Sequence, residues 1–442
     1  MDGRDRQRPA PQVEEAGEGL NEGDVPFTPG TARAALAVRD FRVVWLGAFS
    51  SNIGTWMQNV VLGAYAFELT RSPAYVSLVA FAQLGPLLVL SVVGGLLADT
   101  VDRRRLLVAA QLVQLLGSLA LAALVLGDDP SRAGIVAAVF VVGAGNALNA
   151  PAWVAMLPEL AGRENMAGAI SLNSTQMNAS RVVGPAIGGL LFPVIGAAGV
   201  FTVNAVTYLF VIASLLAIRP PRAEVDASET RGFRRLLGGF AVARHDRLVR
   251  RALVSLTVFS FLCLPFTGQM PTIAAENLDM RPKSLAYGLL YASFGLGAVL
   301  GAVSIGTFLA ARSKAKIMRT GMAVFAVALA AFALLRTAAL AYPLVLVIGF
   351  AYFATVTSLN TVLQVHLDPR VRGRVMSLWL MAFGGTVPLG LLAAGPVAEA
   401  TSITVVLLYG AVVAAGLAVY AHVTAVRGTG AEDEAAEEAV PA

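Results

Sequence analysis

Charge is scarce in this sequence. Asp, Glu, Lys and Arg make up 14% of its 442 residues, roughly half of what a soluble domain carries. That shortage argues against a water-facing globule of this length. Cysteine is all but missing: Cys263 stands alone inside an apolar run, so no intrachain disulfide can form. A lone cysteine in such surroundings reads as a small buried hydrophobe. Lysine occurs only at positions 283, 314 and 316, and the dominance of arginine and alanine points to a GC-rich bacterial genome. His245, His366 and His422 fall near the ends of apolar runs, which excludes a histidine proton relay at a membrane midplane. Enzyme signatures are missing as well: there is no His-Glu-x-x-His, no Gly-Lys-Ser/Thr phosphate loop and no Cys/His cluster. No enzymatic activity, cofactor or metal is therefore expected, and ATP use through a phosphate loop is excluded.

Apolar residues are abundant, at 57%, with a mean hydropathy of +0.70. They fall in blocks of about 20 to 25, each long enough to cross a bilayer core of ~30 Å. The blocks are continuously apolar rather than alternating, which favours helices over barrel strands. The pattern predicts an all-α polytopic membrane protein with twelve transmembrane helices in two pseudo-symmetric bundles of six, between residues 43 and 425. Residues 1–42 read as a disordered tail rich in Pro, Gly, Glu and Arg. The first bundle takes 43–218, a basic linker 219–251, the second bundle 252–426 and an acidic disordered tail 427–442. In the linker, Phe233, Leu236, Leu237 and Phe240 recur at helical spacing among arginines, which fits either an amphipathic surface helix or a solvated connector.

The net charge of +5 is placed by topology. Arg103, Arg104, Arg105, Arg163, Arg312, Lys314, Lys316, Arg319, Arg370, Arg372 and Arg374 share one side with the arginine-rich linker and both termini. The other side holds only Arg71, Arg132, Arg281, Lys283 and Arg336. An excess of Lys and Arg in short loops marks the cytoplasmic face, so both termini are expected there. Lipid bilayer, not nucleic acid, is the partner this charge implies.

Polar groups inside a membrane are costly and are functional candidates by default. Arg181 leads them, near the middle of the fifth span, and helical spacing puts Ser174, Asn178 and Arg181 on one face. A guanidinium there needs a wet cavity or acceptors. It reads either as a cavity residue contacting an anionic or polar substrate or as a structural arginine on neighbouring carbonyls. Gln58 and Asn59 in span 1, Asn149 in span 4, and Asn360 and Gln364 in span 10 extend the candidate cavity, or else bond helix to helix. Carboxylates are few; Glu68 is the candidate for proton coupling, with an interfacial position as the other reading. Gly184, Pro185, Gly188 and Gly189 in span 5, like Gly297 and Gly301 in span 8, permit close helix contact. The two halves also echo each other: Gly95 to Arg105 after span 2 matches Gly306 to Lys316 after span 8. Such duplication marks transporters whose two bundles rock about a central site.

The stretch Gly95-x-Leu97-Ala98-Asp99-x-x-Asp102-Arg103-Arg104-Arg105 resembles the loop signature of the major facilitator superfamily, with Asp102 where glycine is usual. The resemblance covers about 43–425 and implies the major facilitator fold. It implies that Asp99, with the loop arginines, pairs with the start of span 11 near Arg372 or Arg374; the second copy has Ala310 in place of the acid. Gly184-Pro185-x-x-Gly188-Gly189 is similar to the drug/proton antiporter motif, with Ser180 where a glycine is expected. With Trp56 and the Leu-Leu-Gly-Gly-Phe linker, the chain resembles the exporter branch that contains enterobactin exporters and macrolide efflux proteins. This implies a monomer in a bacterial inner membrane, exporting a drug, a siderophore or another bulky amphipathic small molecule at the expense of protons. The residues themselves leave open an importer or uniporter of a small polar solute, and a non-transporting scaffold or sensor.

Overall fold

The computed structural model describes residues 28–218 and 240–438, and among them the chain is helical with no strand. Helix starts follow local chemistry. Thr31, Ser72, Asp102, Ser131, Asp246, Ser284 and Ser313 each place a side-chain oxygen on a first-turn amide, satisfying a donor the helix itself cannot. Among the described residues ten helices are long and apolar enough to cross a membrane. One of them, Met166–Ala217, has 52 residues, roughly 78 Å and twice a bilayer's thickness. Gly196 breaks it at φ 68 and ψ −179, a conformation open to a residue without Cβ. Arg39–Thr70, with 32 residues, is also long enough, but its run of Asn52, Thr55, Gln58 and Asn59 dilutes its hydropathy. Dividing the first at Gly196 and adding the second brings ten to the expected twelve.

Several boundaries differ from expectation. Residues 28–42 are not a tail: a short helix at Ala32–Ala37 packs on Met166–Ala217, the Gly30 N–H donates to Asn165 Oδ1 at 3.3 Å, and the first span starts at Arg39. Residues 1–27 of the expected tail lie outside the described ones. The amphipathic-helix reading at Phe233, Leu236 and Leu237 lies outside them too; the seventh span starts at Arg247, within the stretch read as linker. The last helix runs from Ile403 to Glu438, through an acidic stretch expected to be disordered. Ala and Glu are strong helix formers, so its composition suits a helix as well. Prolines bend the spans as their chemistry requires. The second divides between Leu84 and Pro86, and the seventh passes through a π turn at Phe259–Cys263 and a 3-10 turn at Pro265–Thr267.

Large apolar side chains point outward: Val89, Leu126, Phe308, Val327 and Val412 are each more than two-thirds exposed. A water-soluble protein would hide such a surface; lipid covers it at no cost. Inside each half the helices pack tightly. In the first half Arg39–Thr70 lies along Met166–Ala217, and Arg103–Leu124 along Arg132–Ala161. In the second, Ala338–His366 packs on both Leu285–Gly306 and Lys314–Leu334.

At the arginine-rich end, cations close helix C-termini, where carbonyls lack partners. Arg104 donates from Nε to Leu215 O at 2.6 Å and from Nη2 to Leu216 O at 2.9 Å. Arg103 pairs with Glu159 and donates to Ala155 O at 3.1 Å. Lys314 Nζ reaches Leu309 O and Ala310 O, each at 2.9 Å. In the second half Asp246 caps the Arg247–Val258 helix and meets His366 Nε2 at 2.7 Å. Burial pushes the Asp246 carboxyl up, but the Val249 amide, the His366 ring and the Leu248 amide outweigh it and hold the carboxyl below its ordinary value of 3.8. A carboxylate with a depressed pKa stabilises the fold above its unfolded value and loses that contribution as pH falls through the folded one. Asp246→Ala is expected to cost about 1 kcal/mol near neutral pH, and the difference from wild type should vanish well below pH 3.8. Thermal unfolding of both proteins across that range checks it.

Candidate functional site

The two halves meet from the middle of the membrane to the end opposite the arginines. Gly189 on span 5 faces Gly288 on span 8 so closely that a Cβ on the first would sit 2.7 Å from the Cα of the second. Further along, a Cβ on Gly295 would strike the backbone of Arg181. The Pro73–Leu84 helix packs on Thr386–Ala400. Gln269 Nε2 bonds Pro73 O at 2.8 Å and Ser77 Oγ at 2.6 Å. At the outermost turn Glu399 accepts from Ser72 Oγ at 2.5 Å and from the Ala74 amide at 3.1 Å. A carboxylate of the second half thus caps a helix of the first, where the helix dipole favours an anion. Toward the arginine-rich end, large side chains of both halves are exposed: Val154, Ile170 and Met177 in the first half, Val365 and Leu380 in the second. Among the described residues the close contacts between the halves gather from the middle of the membrane to the end opposite the arginines, which is the closed one. Glu399→Gln is expected to loosen the closed end, read as faster labelling of a cysteine placed at Ala74.

A cavity of about 220 Å³ lies between the halves. Arg181 borders it. Its guanidinium lies 5.3 Å from the Trp56 ring centroid and 4.7 Å from that of Phe353, one ring from each half. A cation over an aromatic face gains from the ring quadrupole, by up to about 2 kcal/mol once desolvated. Asn178 Oδ1 accepts from Arg181 Nη1 at 3.5 Å, and no carboxylate among the described residues pairs with it. The rest of the wall is aromatic, with Tyr291, Tyr352 and Phe383 prominent. The buried Tyr287 hydroxyl finds no protein partner there.

The polar residues expected to share this cavity are distributed otherwise. Asn59 borders it and accepts from Gln83 Nε2. Gln58, one residue earlier and so about 100° round the helix, turns inward. It accepts from Ser118 Oγ at 2.9 Å and Asn204 Nδ2 at 2.8 Å inside the first bundle. Asn149 accepts from Gln111 Nε2 at 3.0 Å in a separate recess of that bundle. Gln364 donates to Asn360 at 2.7 Å away from both cavities. Ser174 is exposed. Glu68 stays at the closed end, with Lys283 and Arg71 as its charged neighbours. Gly184 and Gly188 meet Trp56, Ile53 and Met57 of span 1, so the span 5 motif is a packing surface on both faces, and Pro185 is buried within it. In this conformation a Cβ on Gly95 would meet nothing within 4 Å. Arg372 donates to Leu367 O at 3.3 Å, and Arg374 borders a surface hollow with His366 and Asp246. Sequence reasoning missed the aromatic wall and Glu399. Tyr291 and Phe294 stand three residues apart and Tyr352 and Phe353 are adjacent, and this clustering of aromatics within two spans was the available signal for the wall.

Residues 30–442 match the family described as transmembrane secretion effector. This chain belongs to that family of major facilitator transporters. The multidrug efflux pump Tap of Mycolicibacterium fortuitum is similar to this chain. The two are 25% identical over 82% of this chain and 90% of Tap. The enterobactin exporter EntS of Escherichia coli O1:K1 is 29% identical over 77% of this chain and 80% of its own. Among solved structures, the nucleoside transporter NupG superposes at a TM-score of 0.72 with 12% identity, over 86% of this chain and 98% of that one. The POT family transporter PepTSo does so at 0.67 with 14% identity, over 88% and 98%. At such identities the structural likeness carries the fold alone. The chain is thus a multi-pass membrane transporter rather than an enzyme.

Proposed function

We propose that the chain exports a bulky amphipathic small molecule, of drug or siderophore type, by proton-driven alternating access in a bacterial inner membrane. The basic end is the cytoplasmic one, with both termini there. The substrate enters between the parted halves and places an aromatic part against Tyr291, Tyr352 and Phe353 and an acidic group on Arg181. The observation that carries this reading is the Arg181 guanidinium held between rings of opposite halves beside an aromatic cavity. Arginine binds carboxylates and other oxyanions in two-pronged geometry, and aromatic walls suit flat apolar surface. The relatives' names, efflux pump and exporter, agree in direction. In this reading Asp99 joins Arg372 or Arg374 when the basic end closes, Glu68 takes part in proton coupling, and the protein works as a monomer. Inverted membrane vesicles test it. Energised vesicles should accumulate an anionic aromatic dye, and a protonophore should abolish that accumulation. Accumulation indifferent to the protonophore would remove the coupling, and none at all would remove export of this substrate class.

A further inference from the structure

A second cavity, of about 170 Å³, lies wholly within the first bundle. It is smaller than the ~300–1,000 Å³ usual for drug-sized ligands, so it suits one ring or substituent of a larger molecule. Its wall carries the carboxamides Asn52, Gln111, Gln114, Asn146, Asn149 and Asn173, the indole of Trp153, and no charged side chain. Exposed Val154 and Met177 also border it, so it opens onto the gap between the halves. Its polar capacity is underused. Gln111 is 5% exposed, and its Oε1 is buried with no partner although its Nε2 bonds Asn149. No side-chain hydrogen bond engages Asn52 or Asn146 among the described residues. A buried acceptor without a partner costs about 1–3 kcal/mol, and that cost is removed when a ligand donates to it. The Trp153 N–H is committed to Asn173 Oδ1 at 2.7 Å, which leaves its ring surface as the remaining means of contact.

We infer that this recess is a subsite for an uncharged polyhydroxyl ring, such as a glycosyl substituent, on the transported molecule. Each carboxamide offers a donor and an acceptor together, which matches neighbouring hydroxyls that also do both. The indole face suits the apolar face of a sugar ring, and the absence of charge disfavours ionised groups. The inference rests on the small-molecule transport reading above and adds a substrate class to it.

The test is binding to the purified full-length chain in lipid nanodiscs, read by quenching of tryptophan fluorescence. The probes are 4-nitrophenyl β-D-glucopyranoside and its sugar-free counterpart 4-nitroanisole. The glucoside should bind about tenfold more tightly, the worth of one or two good hydrogen bonds. Asn146→Leu, which removes no hydrogen bond described within the protein, should erase that advantage without changing thermal unfolding. Gln111→Met, which breaks the bond to Asn149, provides a second variant that should likewise erase the advantage of the glucoside. Equal affinity for the two probes, or an advantage that survives both variants, overturns the subsite. Because no gradient is involved, the outcome is separate from export. Glucoside binding without proton-dependent transport would refute only the export reading, and dye export without the glucoside advantage would refute only the subsite.

Discussion

Replacing Arg181 by methionine is expected to abolish transport of anionic aromatic compounds while leaving the protein at wild-type abundance in the membrane. Methionine keeps the apolar stem of the side chain and removes the guanidinium with its permanent charge. The substrate then loses a charge-assisted hydrogen bond in a desolvated cavity, worth about 2 kcal/mol or roughly thirtyfold in affinity. The fold loses less. The guanidinium is held by two ring faces and one long bond to Asn178, and no carboxylate among the described residues is orphaned by its removal. Arg181→Lys should fall between the two, because a compact ammonium cannot lie flat between Trp56 and Phe353. Vesicle transport together with quantitation of protein in the membrane separates the outcomes. Full transport in the methionine variant would remove Arg181 from the mechanism, and loss of the protein itself would make it structural.

Gly189→Leu is expected to be equally severe for a different reason. Gly189 and Gly288 bring two backbones together at the closed end, with Gly288 N 3.0 Å and Ser284 O 3.1 Å from the position of an added Cβ. No flexible side-chain tip is available to move aside. A leucine there must push span 5 from span 8, so the closed end cannot form and transport stops. Insertion should survive, since the clash arises between the halves and not within one. The reading is a longer distance between spin labels placed at the closed ends of spans 5 and 8. An unchanged distance with normal transport would mean the contact is dispensable. Gly189→Ala should give a partial version of both effects.

How much of this was legible beforehand varies with the kind of signal. The spans were readable because burial in lipid demands long uninterrupted apolar runs. The division near Gly196 was readable because an apolar run of that length is too long for a single crossing, and the backbone leaves helical geometry there. Arg181 stood out because a cation in such a run is rare. The partners of Arg181 were hidden: Phe353 and Tyr352 look like ordinary span residues until the neighbouring half is in place. Gln58 and Asn59 show the limit of reading polarity alone. They are adjacent, both polar and in the same span, yet one is sealed in the first bundle and the other borders the cavity. Only the rotation of the helix against its neighbours decides between them. Glu399 was passed over because a carboxylate at a span end ordinarily faces water. Its role as cap of a helix in the other half depends on which end happens to be closed.

The account depends most on a water-filled path that reaches Arg181 from the arginine-rich side and stops at the Gly189–Gly288 contact. Labelling of a single cysteine at position 178, one turn from Arg181, with a membrane-impermeant maleimide measures this directly. The background is Cys263→Ala, since the native thiol is buried. Without a gradient, the expected result is rapid labelling in inverted vesicles and little in intact cells. Labelling only from the outside of cells, or from neither side, would contradict it.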